Sequence, residues 1–385
     1  MSRPLVFNSP YISQLLFKSS YVLSLLGVYG LISIDVVMRV VGAYALGPLG
    51  DKYGRKLVTR ISSIGSSLPL VGVALLPGPL LLLLLYAVQG FFTGGLSAGL
   101  NVIGLEELPE RHRGWFGGSG MAVGGSAYLV ASLVFFLISR ILGGALYVDL
   151  GWRIMFLTSL LIIPFGFLMP ESRKFKKNFR RDASPTKSLL TKYRRYFVLA
   201  FILTALWSSM NALANSLLPN FLFSVDHLSR TEISQMLTVY SVVLIVSAFL
   251  GGELSERLGR RKVFILGGVL GIVLSPVFIL LEDPGNFTML LVSVIGFVTV
   301  FGGGGLMAYV NENFPTNIRS TGVSLSWNLG FLVGNLVPLM LVFIISNTSI
   351  ELFGALETIS MIVLGGFIVV ASYISHETRG NMESE

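Results

Sequence analysis

Gly47-Pro48-Leu49-Gly50-Asp51-Lys52-Tyr53-Gly54-Arg55-Lys56 is a short charged turn set between two long apolar runs. The chain repeats it as Gly252-Glu253-Leu254-Ser255-Glu256-Arg257-Leu258-Gly259-Arg260-Arg261. Each copy leads in with a small residue, then an acid, a base, and Gly-Arg followed by a second base. Such a turn suits the place where two membrane helices reverse. The acid sits at a helix end, Gly permits the tight reversal, and the arginines stay in the headgroup layer.

The 385 residues around these turns are 53% hydrophobic and only 12% charged, with a mean hydropathy of +0.76. A soluble domain carries roughly a quarter charged residues, so the composition predicts an all-α, polytopic membrane protein. A helix needs about 20 apolar residues to cross the hydrocarbon core. Eleven apolar runs meet or approach that length: 20–46, 57–77, 80–105, 114–139, 152–169, 197–224, 232–252, 263–281, 287–311, 321–346 and 352–374. The net charge of +8 does not point to nucleic acid, because the bases lie in short loops between apolar spans. With no cysteine and three scattered histidines, neither a metal centre nor a cofactor is expected. No cleavable signal peptide is visible.

The longest polar stretch, 171–196, holds ten of the 28 bases and divides the chain. It reads as a cytoplasmic linker, partly an amphipathic helix on anionic lipid. The expected organisation is an N-terminal helical half at 1–170, the basic linker at 171–196, a C-terminal six-helix half at 197–376 and a cytoplasmic tail at 377–385. Alternating the loops from that linker leaves 22 of the 28 bases on the cytoplasmic side. That asymmetry puts the C-terminus inside.

Two further motifs repeat. Glu106-Glu107-Leu108-Pro109-Glu110-Arg111-His112-Arg113 and Glu312-Asn313-Phe314-Pro315-Thr316-Asn317-Ile318-Arg319 both read E-x-x-P-x-x-x-R. Pro170-Glu171-Ser172-Arg173 is answered by His376-Glu377-Thr378-Arg379. The three pairs are offset by 205, 206 and 206 residues, so the halves are a duplicated unit. These acids and bases cluster at helix ends, where carboxylates and guanidinium groups from neighbouring helices can pair. The predicted gate comprises Asp51, Arg55, Glu106, Arg113, Glu171, Arg173, Glu256, Arg260, Glu312, Arg319, Glu377 and Arg379. Ordinary snorkelling anchors are the plainer alternative.

Together with Gly151-Trp152-Arg153-Ile154-Met155-Phe156, the three motifs resemble the sugar-porter and metabolite:proton symporter branch of the major facilitator superfamily. The resemblance implies two pseudo-symmetric six-helix halves and a secondary transporter with a gate at the inner side. Three departures stand out. Residues 1–18 match only the later part of a first helix, so either the start is set too late or that helix is truncated, and the acid often used there in proton coupling is missing. The fourth helix has Tyr86-Ala87-Val88-Gln89-Gly90 where relatives often carry an Arg. The fifth lacks the Gly-Pro motif of drug antiporters, which weakens an export reading.

Within the spans the clear ionisable groups are Asp35 and Arg39, whose i, i+4 spacing puts them on one face. Intramembrane charge points to function, here proton coupling, with a structural ion pair as the alternative. Asn101, Asn211, Asn215, Tyr240, Trp327, Asn328 and Asn335 are the polar candidates for binding solute, or for holding helices together. The expectation is a monomeric transporter in the cell membrane, moving a sugar, polyol or small organic acid with protons. An uncoupled facilitator or an exporter of the same fold, and a non-transporting sensor, are the alternatives. No enzymatic motif is present.

Overall fold

A computed structural model of the chain describes residues 21–75, 79–146, 150–177, 182–224, 230–282, 285–346 and 352–380. The expected short first segment, 1–18, lies outside them. Apolar runs in lipid must satisfy their own backbone groups, and the runs here do so as helices. In chain order they are α1 (Tyr21–Tyr53), α2 (Arg55–Ala74), α3 (Pro79–Leu96), α4 (Val102–Glu107), α5 (Arg113–Leu146), α6 (Trp152–Leu157) and α7 (Ile162–Leu168). Two short helices, α8 (Arg173–Lys177) and α9 (Pro185–Thr191), occupy the basic stretch. There follow α10 (Arg194–Ser224), α11 (Arg230–Leu258), α12 (Arg260–Leu274), α13 (Val277–Leu280), α14 (Thr288–Val298), α15 (Leu306–Glu312), α16 (Arg319–Ser346) and α17 (Phe353–Ile374). Among the described residues, eight helical stretches are long and apolar enough to cross a membrane.

Three irregularities matter. The expected span 263–281 is broken after Leu274, because Pro276 has no N–H to continue the ladder. A π-type turn, Ser97–Asn101, joins α3 to α4. At the matching place in the second half, Gly302–Gly305 forms a tighter 3₁₀ turn before α15.

The chain divides into two compact units, and neither is a sequence half. The first comprises residues 1–106, 130–189 and 316–328; the second comprises 107–129, 190–315 and 329–385. Each unit therefore contains a segment from the opposite half of the repeat. In the first unit α2 turns Thr59, Ser62, Ser63, Ser66 and Ser67 inward. Small hydroxyl residues let membrane helices approach, and Thr59 and Ser63 satisfy their own O–H groups on carbonyls one turn back, at 2.8 and 2.7 Å. In the second unit Trp207, Tyr240, Phe264 and Tyr309 are fully buried and fill the core.

Candidate functional site

The repeated charged turn forms because glycine is required twice over in each copy. Gly54 and Gly259 have φ of +114° and +103°, a region that side chains rarely enter. A Cβ on either would also meet the carboxylate of Glu171 or Glu377. Those glutamates take the place that a side-chain cap would fill. Glu171 accepts the N–H groups of Arg55 and Lys56 at 3.1 Å each, and Glu377 accepts those of Arg260 and Arg261 at 2.9 and 3.2 Å. A carboxylate at the positive end of a helix is the favourable sign. The residue after each glutamate does a matching job: Ser172 donates its hydroxyl to Glu106, and Thr378 donates to Glu312 at 2.7 Å.

In the first unit these residues gather a buried cluster from both halves of the repeat. Arg319 donates to Glu106 at 2.7 Å. Arg55 lies 3.2 Å from Asp51 and 3.6 Å from Glu106, and donates to the carbonyls of Gly50 and Thr316 at 2.9 and 2.5 Å. Asp51 accepts the N–H of Ser320 at 3.0 Å, the N–H of Thr321 at 2.9 Å and the Thr321 hydroxyl at 2.7 Å, so it caps the start of α16. Burial pushes the Asp51 carboxyl up to about 6, while Arg55 and the bonds from Thr321 and Ser320 pull it down. Asp51, Arg55, Glu106 and Arg319 are all nearly inaccessible.

The second unit holds the matching set. Arg260 grips Glu312 through two nitrogens, at 3.2 and 2.9 Å, and also donates to Glu256 and Ser255 at 2.8 Å each. Burial works against the charge on Arg260, but Glu312 and Glu256 outweigh it and hold the guanidinium protonated. Glu256 accepts the N–H of Gly114, on the first turn of α5, at 2.5 Å. Arg113, the counterpart of Arg319, does not join this cluster; it pairs at 3.5 Å with Glu110, which is exposed. Arg173 and Arg379 lie at the exposed rim, where Arg379 donates to the Arg257 carbonyl at 2.5 Å.

Asp35 and Arg39 form a two-pronged pair at 3.3 and 2.7 Å, with the carboxylate wholly buried. Of the polar candidates, Asn215 donates to both the carbonyl and the side-chain oxygen of Asn211, at 2.9 and 2.6 Å. Asn328 donates to the Ser97 hydroxyl at 2.7 Å and to the Ser324 carbonyl at 2.8 Å. Asn335 bonds back to Phe331 at 2.7 Å. Tyr240 and Trp327 are buried, and Asn101 is half-buried at the end of the π-type turn. The sequence reading did not pick out Ser172 and Thr378, which sit at the motif offset of 206, nor Ser320 and Thr321. It also passed over Glu357 on α17, a buried acid inside an apolar run.

Comparison with known proteins agrees with this architecture. The family model "Major Facilitator Superfamily" matches residues 6–338 and again 196–384. A protein of Staphylococcus haemolyticus (strain JCSC1435), bearing the provisional name proline/betaine transporter, is 28% identical over 362 residues, covering 89% of this chain and 77% of that one. The proline/betaine transporter of Escherichia coli (strain K12) is 27% identical over 356 residues, covering 82% of this chain and 68% of that one. The structure of the proton:xylose symporter XylE superposes with a TM-score of 0.81 at 16% identity, over 99% of this chain and 93% of that one. At that identity the likeness concerns the fold.

Proposed function

This chain belongs to the Major Facilitator Superfamily, and on that premise we propose that it imports a small zwitterionic solute, of the proline or betaine kind, by proton-coupled alternating access. The family makes it a multi-pass membrane transporter rather than an enzyme. The observation that carries the mechanism is the pair of buried charge clusters, each joining residues from both halves of the repeat within one unit. Asp51, Arg55, Glu106 and Arg319 act as one latch, and Glu256, Arg260 and Glu312 as its counterpart; Glu171 and Glu377 brace the turns. Breaking such pairs is costly unless solvent replaces the partners, so they open together with the inner side.

The relatives named as proline/betaine transporters support this choice of solute. The motifs alone fit a sugar, a polyol or an organic acid equally. A zwitterion has the carboxylate of the acid and the zero net charge of the sugar, so it suits spans whose polar groups are mostly neutral hydroxyls and amides. Asn101, Asn211, Asn215, Asn328 and Asn335 offer hydrogen bonds, while Tyr240 and Trp327 offer aromatic faces to a cationic headgroup. Asp35 takes the coupling proton, with Arg39 setting its charge. The chain works as a monomer in the cell membrane, its C-terminus and basic linker on the cytoplasmic side.

Uptake into proteoliposomes tests this directly. Glycine betaine and proline should accumulate when the outside is acidic, and accumulation should stop when the pH gradient is collapsed. Accumulation of xylose or a simple carboxylate, with betaine and proline excluded, would overturn the solute assignment.

A further inference from the structure

A carboxyl group that serves in neither charge cluster lies at the other end of the last helix. Glu357 sits in the second turn of α17 and is 1% exposed. The opposite end of α17 leads to Glu377, which braces the second charged turn. Seventeen residues separate Glu357 from Ile374, the last residue of α17, about 25 Å of helix. The two groups are therefore remote.

The described residues that line the space beside Glu357 are apolar. A cavity of about 10 Å³ adjoins it, lined by Leu213, Ala214, Leu218, Phe278, Leu281 and Phe353. Leu341 and Val337 of α16 pack beside Leu213 and Phe353 in the same region. Neither carboxyl oxygen has a hydrogen-bond partner among the described residues. The neighbouring polar groups are already engaged: Thr358 donates to the Ser275 carbonyl at 3.1 Å, and Gly354 donates its N–H to Glu282 at 2.7 Å.

No counter-charge faces this group from the helices packed against it. The charged residues of α10 and α12 are Arg194, Arg195, Arg260, Arg261 and Lys262, all at the far ends of those helices. On α16 the one charge is Arg319, in its first turn, and α13 carries none. Glu282 follows α13 and is itself an acid; Asp283 and Glu351 lie outside the described residues. An ionised carboxylate without a partner in such a site is prohibitively expensive, whereas a neutral acid costs only an unmade hydrogen bond.

We propose that Glu357 is a second proton-binding site, separate from the Asp35–Arg39 pair. It carries its proton in the arrangement seen here. It gives the proton up when movement of α17 against α10 and α13 admits water: the O–H bond breaks, the proton passes to water, and the carboxylate remains hydrated. Asp35 and Glu357 differ in kind, since Asp35 is held by an adjacent guanidinium and Glu357 by nothing. The use of this proton in transport rests on the proton-coupled reading above; its presence does not.

Infrared spectroscopy of the full chain in lipid vesicles at neutral pH separates the two. Wild type should show the carbonyl stretch of a protonated carboxylic acid at this pH, where a hydrated Glu is ionised. That band should disappear in Glu357→Gln and in Glu357→Leu but persist in Asp35→Asn. The Leu variant guards against misfolding, because an apolar side chain fits this cavity and should keep the thermal midpoint at or above that of wild type. Superimposable spectra of wild type and Glu357→Leu would overturn the proposal. So would a large loss of stability in Glu357→Leu, which would mark a charged structural partner instead. With glycine betaine as probe, Glu357→Gln should lose pH-driven accumulation while keeping counterflow; retained accumulation would remove Glu357 from coupling. If no variant or wild type moves betaine, the transport reading fails while the infrared result still decides the proton site.

Discussion

In the first unit Glu106 is held by Arg319, from the opposite half of the repeat; in the second, Glu312 is held by Arg260, from its own half. The sequence positions match, but the partners do not. Once Arg319 takes Glu106, Arg55 is left at 3.6 Å from that carboxylate and spends its donors on the Gly50 and Thr316 carbonyls. Arg113, buried itself, pairs with the exposed Glu110, and Arg260 binds Glu312 with two nitrogens. The acid of the turn differs in the same sense: Asp51 takes three bonds from Ser320 and Thr321, Glu256 one from Gly114. A duplicated motif has thus become two unequal fasteners. The first ties the halves together strongly, and the second mostly ties its own half to itself.

The largest test of this contrast is on arginine. Arg260→Ala strands Glu312 and Glu256 in a buried site and should cost about 3–5 kcal/mol. Arg113→Ala removes a buried guanidinium whose carboxylate partner, Glu110 at 3.5 Å, is exposed and can be rehydrated, so it should cost less than Arg260→Ala. Thermal unfolding in detergent measures both, and equal losses would break the comparison. Next, Glu106→Gln weakens a charged bond across the halves, worth about 2–3 kcal/mol. The chain has no cysteine of its own, so a single cysteine at Thr316 reports opening through maleimide labelling. Labelling should quicken with Glu106→Gln and stay unchanged with Glu312→Gln.

The two glycines should behave alike where the clusters do not. Gly54→Ala and Gly259→Ala each force a side chain into a disfavoured backbone region, at about 1–3 kcal/mol, and their melting shifts should agree. A smaller difference separates the caps. Asp51→Ala should cost about 1 kcal/mol more than Glu256→Ala, since it removes more of a helix cap. The smallest effect is on His376, which stacks edge-on against Tyr196. Burial first, then Arg195, holds its pKa below 6.5 despite Glu377. Its neutral form is therefore the stable one: the contribution is complete above 6.5 and is lost as pH falls through the lowered value. The slight decline of the melting point on acidification should be missing in His376→Phe.

The charged turns were legible because their chemistry is local. Gly-Arg after an acid marks a reversal, and three motif pairs at one offset mark a duplication. The partners were not legible, because an offset predicts symmetry and the packing does not honour it. Arg113 and Arg319 are indistinguishable in sequence but not in surroundings. Glu357 was hidden for a different reason: one acid in Gly354-Ala355-Leu356-Glu357-Thr358 looks like a helix end until the neighbouring helices bury it. The break at Pro276 had a visible cause, yet the surrounding hydropathy masked it.

The π-type turn at Ser97–Asn101 sets a rotational phase. Such a turn takes up one residue more than regular winding, and each residue of an α-helix advances the side chains by about 100°. Everything beyond Asn101, Glu106 included, is therefore clocked around the axis relative to α3. Rewinding those five residues as ordinary α-helix would swing the Glu106 carboxylate away from Arg319 while lengthening the rod by only about 1.5 Å. The tight turn at Gly302–Gly305 is overwound where Ser97–Asn101 is underwound, so the same relaxation there would turn Glu312 the other way. Beneath their matching motifs the two halves depart from regular winding in opposite directions.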